Sequence, residues 1–158
     1  MFICRNNNDE VVKVLLLYEA DVNIKDCHYI TPLHVCAANN SYECAKLLLP
    51  KMSQIDVSDR SGATPLHHAV FNSFCDLTTF LLDNGAQANV IDEKGCRPIH
   101  YAAAVDSSDS IRFLIQKGNA DVNVHDKELL TPLHISAASG SLNALQLLIE
   151  NGNSTLNH

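Results

Sequence analysis

The stretch Thr31-Pro32-Leu33-His34 returns along the chain at almost constant intervals. It recurs as Thr64-Pro65-Leu66-His67, then as Arg97-Pro98-Ile99-His100, and finally as Thr131-Pro132-Leu133-His134. Successive copies are about 33 residues apart, and a single inserted residue near Gly118 lengthens the last interval. Self-similarity at such a period indicates stacked structural repeats.

Each copy of the motif carries the signals of a short helix followed by a larger one. A threonine before the proline can cap the helix, because its side-chain oxygen accepts a hydrogen bond from a free backbone N–H. Proline suits the first helical position, where its missing N–H costs nothing. A run of large apolar residues begins about 16 residues after each threonine or its replacement, and its spacing predicts the second helix: Leu47-Leu48-Leu49, Phe80-Leu81-Leu82, Phe113-Leu114-Ile115 and Leu147-Leu148-Ile149.

A period of about 33 residues with the pattern Thr-Pro-Leu-His-x-Ala is typical of ankyrin repeats, and the sequence resembles that family over nearly its whole length. The resemblance implies an all-α solenoid of antiparallel helix pairs, with β-turn or hairpin tips between them. We interpret residues 1–158 as one ankyrin domain of about four full repeats after a partial one. The predicted limits are 1–25 for the partial repeat and 26–58, 59–91, 92–125 and 126–158 for the others.

Both ends of the predicted array lack the polar outer faces that a solenoid normally needs. The first repeat has no copy of the motif, and the last keeps apolar residues on its second helix, among them Leu142, Leu145 and Leu148. We therefore expect the chain to be part of a longer array. The alternative is a short protein whose bare ends dimerise.

Composition excludes several classes of function. The net charge is −7, and the 11 basic residues are scattered, whereas a nucleic-acid interface needs clustered Lys and Arg. No apolar run approaches the roughly 20 residues of a membrane span. The chain shows no signal peptide, and none of its six cysteines forms a Cys-x-x-Cys pair. We expect reduced cysteines, a cytoplasmic or nuclear location, and no nucleic-acid or membrane partner.

The histidines raise the question of a metal or catalytic site. His34, His67, His100 and His134 recur once per repeat, too far apart to share a zinc ion whose ligand bonds are about 2.0–2.3 Å. We predict that each imidazole instead bonds the motif threonine and the backbone of a hairpin, and that Arg97 obliges His100 to find another partner. A nucleophile–base pair of Cys75 with the doubled histidines is unsupported, because we expect Cys75 at the turn between helices. The sequence predicts no metal, no cofactor and no catalytic residue, and hence no enzyme.

Binding falls to the residues that vary between repeats, because the recurring ones maintain the array. We expect a concave surface formed by the tips and the first helices to bind a protein partner. Two tips carry Tyr29 and Leu129 where the others have glycine, and exposed aromatic and aliphatic groups are typical of interface hot spots. The candidate contact residues are Tyr29, Ile30, Arg60, His68, Phe71, Lys94, Tyr101 and Leu129. Ordinary tip variation is the alternative interpretation of each of them.

A narrower resemblance rests on features that are not general to ankyrin repeats. Within residues 44–72 these are Pro50, Ser53, the segment Val57-Ser58-Asp59-Arg60 and the doubled His67-His68. Residues 92–102, with Lys94 and Arg97, add to them. Together they resemble the regulatory ankyrin-repeat subunits of protein phosphatase 6. The resemblance implies a large cytosolic scaffold that binds a phosphatase catalytic or scaffold subunit, and it identifies no contact residue. The alternative is a stand-alone ankyrin inhibitor or effector that blocks a target enzyme, or a structural tether.

Three asparagines, Asn23, Asn89 and Asn123, precede the tips, and a leucine stands eight residues before each of the first two. In animal ankyrin proteins an asparagine at this place can be β-hydroxylated by the asparaginyl hydroxylase that also modifies a hypoxia-inducible factor. The family resemblance therefore implies three candidate hydroxylation sites. The alternative is a turn-forming asparagine that bonds its own backbone.

Overall fold

The structure is a computed structural model that describes residues 8–155. Residues 1–7 of the first predicted repeat and 156–158 of the last lie outside the described residues. Over the described range the chain forms nine α-helices and a 3-10 turn at Leu49–Lys51, without a strand. The helices are α1 Asp9–Leu17, α2 Pro32–Ala38, α3 Tyr42–Leu48, α4 Pro65–Phe71, α5 Cys75–Asp83, α6 Pro98–Ala104, α7 Ser108–Gln116, α8 Pro132–Ser139 and α9 Leu142–Thr155.

Eight of the nine described helices, α2 to α9, are arranged in four pairs, which confirms the predicted all-α solenoid. The motif-bearing helices α2, α4, α6 and α8 stack side by side, and each packs against the second helix of its own pair. Each pair falls within one of the predicted repeats, and α1 packs against α3. Within residues 8–155 no helix is both long enough and apolar enough to cross a bilayer.

The recurring apolar positions build one continuous core. Leu33, Leu66 and Ile99, which share one place in the motif, are fully buried between neighbouring pairs. Leu81 and Leu114 do the same on the second helices. The fourth motif leucine, Leu133, is partly exposed because no described helix pair lies on that side of α8. Burial of apolar surface is the main favourable term in folding, so the repeat positions hold the array together.

Local sequence signals explain where the helices begin and end. Thr31 has an extended backbone, and its Oγ1 accepts the His34 N–H at 3.4 Å, directly before Pro32 opens α2. Helix α3 ends at Leu48 because Pro50 has no N–H to continue the helical bonding. The expectation that Cys75 lies in the turn between helices is wrong, since Cys75 is the first residue of α5.

Candidate partner-binding surface

The four tips between the helix pairs comprise residues 26–30, 59–63, 92–96 and 126–130, and an aspartate begins each of them. In the first tip, Asp26 Oδ1 accepts hydrogen bonds from the backbone N–H of His28 at 2.8 Å and of Ile30 at 2.9 Å. Asp59, Asp92 and Asp126 accept the same pair of bonds. This aspartate recurs once per repeat in the sequence, but its spacing alone does not reveal that it holds the turn together.

Backbone hydrogen bonds join the tips in a row. The Arg60 N–H donates to the His28 carbonyl at 2.8 Å, and the Glu93 N–H donates to the Ser61 carbonyl at 2.8 Å. The Lys127 N–H continues the row to the Lys94 carbonyl at 3.0 Å. Because the tips are tied together in this way, their exposed side chains form one surface rather than four separate loops.

Two of the motif histidines, His34 and His67, bond the threonine and the next tip, as the sequence predicted. His34 Nδ1 accepts the Thr31 N–H at 3.1 Å, and its Nε2 lies 3.2 Å from the Ala63 carbonyl in the next tip. Since a carbonyl oxygen only accepts, Nε2 carries the proton and the ring is neutral. Burial lowers the pKa of His34 to about 4, which agrees with that assignment. His67 repeats the arrangement with Thr64 and the Cys96 carbonyl at 3.4 Å.

His100 differs from the other two buried histidines. The Arg97 N–H donates to His100 Nδ1 at 3.0 Å, as the threonine N–H does in the other repeats, but the contact with a threonine hydroxyl is missing. The buried Nε2 of His100 and Nε of Arg97 have no hydrogen-bond partner in the described part of the chain. Burial lowers the pKa of His100, and the charge of Asp126 is the largest effect that opposes burial. The tip that follows, 126–130, is therefore held less firmly by a histidine than the two tips before it.

Three side chains that could in principle ligate a metal meet beside the tip at 59–63. Ligand atoms of His34, Asp59 and His68 lie within 4.8 Å of one another. His34 is the only motif histidine in this cluster, and His68 is not one of the four that recur once per repeat. His34, however, uses both ring nitrogens in hydrogen bonds, and Asp59 Oδ2 accepts from His68 Nε2 at 2.9 Å. The ligand atoms already stabilise the tip, and binding a metal would break those bonds.

A family model described as "Ankyrin repeats (3 copies)" matches residues 1–92 and 72–158, which together span the chain. The chain belongs to the ankyrin-repeat family. No curated protein matches it. Ankyrin repeats are protein–protein interaction modules.

The residues predicted to contact the partner divide into two groups in this ankyrin array. Tyr29, Phe71 and Leu129 expose 55%, 54% and 71% of their surface. Arg60 and Lys94 are also exposed, whereas Ile30 is half-buried. These exposed side chains lie at the tips and on α4, so a partner can reach them without disturbing the core.

His68 and Tyr101 are half-buried, and each forms a hydrogen bond to the aspartate of a tip. His68 Nε2 bonds Asp59 Oδ2, and the Tyr101 hydroxyl donates to Asp92 Oδ2 at 2.5 Å. Burial opposes ionisation of Asp59, but its hydrogen bonds from Ser61 and His68 outweigh burial and lower the pKa of the carboxyl. Burial and the bond to Asp92 raise the pKa of the Tyr101 phenol. The sequence did contain a signal for this role, because both residues follow their tip aspartate at the same spacing.

Tyr29 and Leu129 adopt a backbone conformation that suits glycine. Their φ angles are 60° and 63°, and Gly62 and Gly95 stand at the same place in the other two tips with φ of 80°. The left-handed conformation costs a non-glycine residue roughly 1–2 kcal/mol. Five other non-glycine residues in the described range also have a positive φ, but all of them are polar, so the bulky side chains set Tyr29 and Leu129 apart. Backbone outliers often mark functional sites.

The three candidate hydroxylation sites lie outside the tips. Asn23 Oδ1 accepts hydrogen bonds from the N–H and the hydroxyl of Ser53, both at 3.0 Å. Asn89 is exposed, and its Nδ2 donates to the Asn119 carbonyl at 3.3 Å. Asn123 is exposed as well. Hydroxylation stays a prediction, and the side chain of Asn23 already holds Ser53 in place.

Proposed function

We propose that this ankyrin chain is a scaffold that binds a protein partner through its tips and first helices. The observation that carries the proposal is the exposure of Tyr29 and Leu129 in a strained backbone conformation at two tips of one continuous row. Glycine would fit both places with less strain, so the retained side chains are best explained by a contact outside the chain.

The chemistry of the surface supports a hot-spot arrangement. The Phe71 and Tyr101 rings meet edge to face with centroids 5.9 Å apart, which fixes the exposed Phe71 ring in place. Lys25 Nζ lies 5.9 Å from the centre of the Tyr29 ring and adds a positive charge beside it. Rigid aromatic groups lose little entropy on binding, so a few of them can dominate the affinity of an interface.

The partner we propose is a serine/threonine phosphatase complex of the protein phosphatase 6 type. The resemblance of residues 44–72 and 92–102 to the regulatory ankyrin-repeat subunits of that enzyme supports this choice. The chain would then act as a regulatory or targeting subunit in the cytoplasm and would have no catalytic activity of its own. In keeping with a non-catalytic role, the Cys75 thiol donates to the Ser73 carbonyl at 3.6 Å, and His67 is engaged by Thr64 and Cys96.

The proposal is tested by measuring binding of the purified chain to the phosphatase 6 catalytic complex by surface plasmon resonance. A variant with Tyr29→Ala, Phe71→Ala and Leu129→Ala should bind at least about tenfold more weakly, since truncation of even one hot spot removes about 2 kcal/mol or more. Tyr101 is left intact because its hydroxyl supports a tip. Leu142→Ala is the matched control, because Leu142 is 72% exposed on α9 and away from the tips.

Unchanged affinity of the triple variant would show that the partner uses another face. If the wild-type chain fails to bind the phosphatase complex, the choice of partner is wrong. Affinity purification from cells with mass spectrometry would then identify the protein that the tip surface does bind. Inhibition of an isolated target enzyme by this chain alone would instead favour a stand-alone ankyrin inhibitor.

A further inference from the structure

A groove crosses the second helices on the side of the array that carries neither tips nor first helices. Its volume is about 450 Å³, and it is lined by Tyr42, Asp76, Thr79, Phe80, Asp83 and Phe113. The four α5 residues are spaced so that they share one helical face. Tyr42 from α3 and Phe113 from α7 complete the walls. We call this the second-helix groove.

The lining of the second-helix groove combines aromatic rings with carboxylates. The Tyr42 and Phe80 rings pack edge to face with centroids 5.1 Å apart. Asp83 at one end of the groove forms an ion pair with Lys117, whose Nζ lies 2.6 Å from Asp83 Oδ1. Asp76 at the other end is exposed and has no ion pair or hydrogen bond among residues 8–155. The lining itself includes no positively charged side chain.

Neighbouring repeats fill the corresponding position with a cation of their own. The positions equivalent to Asp76 in the repeats before and after it hold Glu43 and Asp109. The positions equivalent to Thr79 hold Lys46 and Arg112. In α7 the pair is formed, since Arg112 Nη1 lies 3.6 Å from Asp109 Oδ1. In α5 the acid is kept and the cation is replaced by Thr79, whose hydroxyl donates to the Cys75 carbonyl at 2.8 Å.

We propose that an arginine side chain of a protein partner binds in the second-helix groove, where α5 lacks the cation that α3 and α7 carry. Its guanidinium would lie against the rings of Tyr42, Phe80 and Phe113 and bond the Asp76 carboxylate. Arginine fits better than lysine, because a planar guanidinium both stacks on aromatic rings and bonds a carboxylate with two parallel N–H groups. The acidic net charge of −7 also favours a basic segment over an acidic one.

The proposal is tested by NMR titration of the chain with a short capped peptide in which two arginines are separated by glycine. The same peptide with citrulline in place of arginine is the matched probe, since citrulline keeps the shape and loses the charge. We expect amide shifts concentrated on α5 and its neighbours Tyr42 and Phe113 with the arginine peptide, and none with the citrulline peptide. The affinity should fall with added salt, because exposed charge pairs are screened.

Three variants locate the site. Thr79→Arg copies Arg112 of the next repeat and should abolish peptide binding, because the chain then supplies the cation itself. Thr79→Gln, which copies Gln146 of α9, lengthens the side chain without charge and should leave most of the binding in place. Asp76→Asn should weaken binding about threefold or more, as expected for an exposed charged pair. As the control, Asp109→Asn removes the equivalent acid outside the groove and should change nothing.

Several outcomes would overturn the proposal. They are equal binding of the citrulline peptide, shifts spread over all acidic surfaces, or equal losses for Asp76→Asn and Asp109→Asn. Shifts confined to the tips would also overturn it and would move the basic segment to the tip surface. Apart from shifts at the tips, none of these results bears on the scaffold role of the tips, because the second-helix groove lies apart from them.

Discussion

The two middle tips, at 59–63 and 92–96, and the two end tips, at 26–30 and 126–130, share one turn but differ in the groups that support it. In each middle tip, glycine takes the left-handed position. A buried histidine of the preceding repeat bonds the carbonyl of the last residue of the tip. The tip aspartate is bonded by His68 in one middle tip and by Tyr101 in the other. In the end tips Tyr29 and Leu129 take the left-handed position, and Val35 and Ile135 stand where His68 and Tyr101 would be.

The middle tips and the end tips share the same turn, but this difference indicates that they have different roles. The middle tips favour stability, because glycine takes the left-handed position without strain and the side chains of His68 and Tyr101 bond the tip aspartates. The end tips accept backbone strain and keep large apolar side chains in solvent, which is unfavourable unless another molecule covers them. We therefore propose that recognition falls chiefly to the ends of the row, and the following predictions test this division from the largest effect to the smallest.

The largest expected effect is a loss of stability in mild acid. Burial holds the pKa of His34 at about 4, below its ordinary 6.5, and also lowers the pKa of His67 and His100. The unfolded chain therefore binds protons at a higher pH than the folded one, and stability falls as the pH drops below 6.5. Protonation of His34 in the unfolded chain should by itself lower the free energy of unfolding by about 3 kcal/mol by pH 4. Urea unfolding between pH 7 and pH 4 measures this, and a flat profile over that range would contradict it.

A methyl group at a middle tip should destabilise the array by about 2 kcal/mol or more. A Cβ at Gly62 would lie 2.8 Å from the Glu93 backbone nitrogen in the next tip, and φ there is 80°. Gly140→Ala is the matched control, because Gly140 has φ of 70° with open space around it. Equal losses of unfolding free energy for Gly62→Ala and Gly140→Ala would show that tip-to-tip contact adds nothing.

Removing one hydroxyl distinguishes the tyrosine that supports a tip from the one that projects from it. Tyr101→Phe should lower the unfolding free energy by about 1.5 kcal/mol, because the bond to the buried Asp92 carboxylate is lost. Tyr29→Phe should change it by less than about 0.5 kcal/mol, since Tyr29 is exposed. Thermal denaturation of both variants provides the comparison, and similar losses would argue against the division between the tips.

The sequence predicted the fold well because the fold is periodic. Residues that recur once per repeat, such as Leu33 and His34, have the same environment in most copies. Their burial and hydrogen bonding could therefore be predicted from the repeat period. The partner surface was harder, because contacts such as Tyr101 with Asp92 join residues of one repeat that differ from copy to copy. His68 stays a predicted partner contact, but for the same reason the sequence did not show that it also bonds Asp59.

The double variant Tyr29→Gly with Leu129→Gly tests the division between the tips most directly, through its unfolding free energy and its affinity for the phosphatase complex. We predict that stability rises by about 1 kcal/mol, because glycine relieves the strained backbone at both end tips, while affinity falls at least about tenfold. Unchanged affinity, or a loss of stability, would contradict the account.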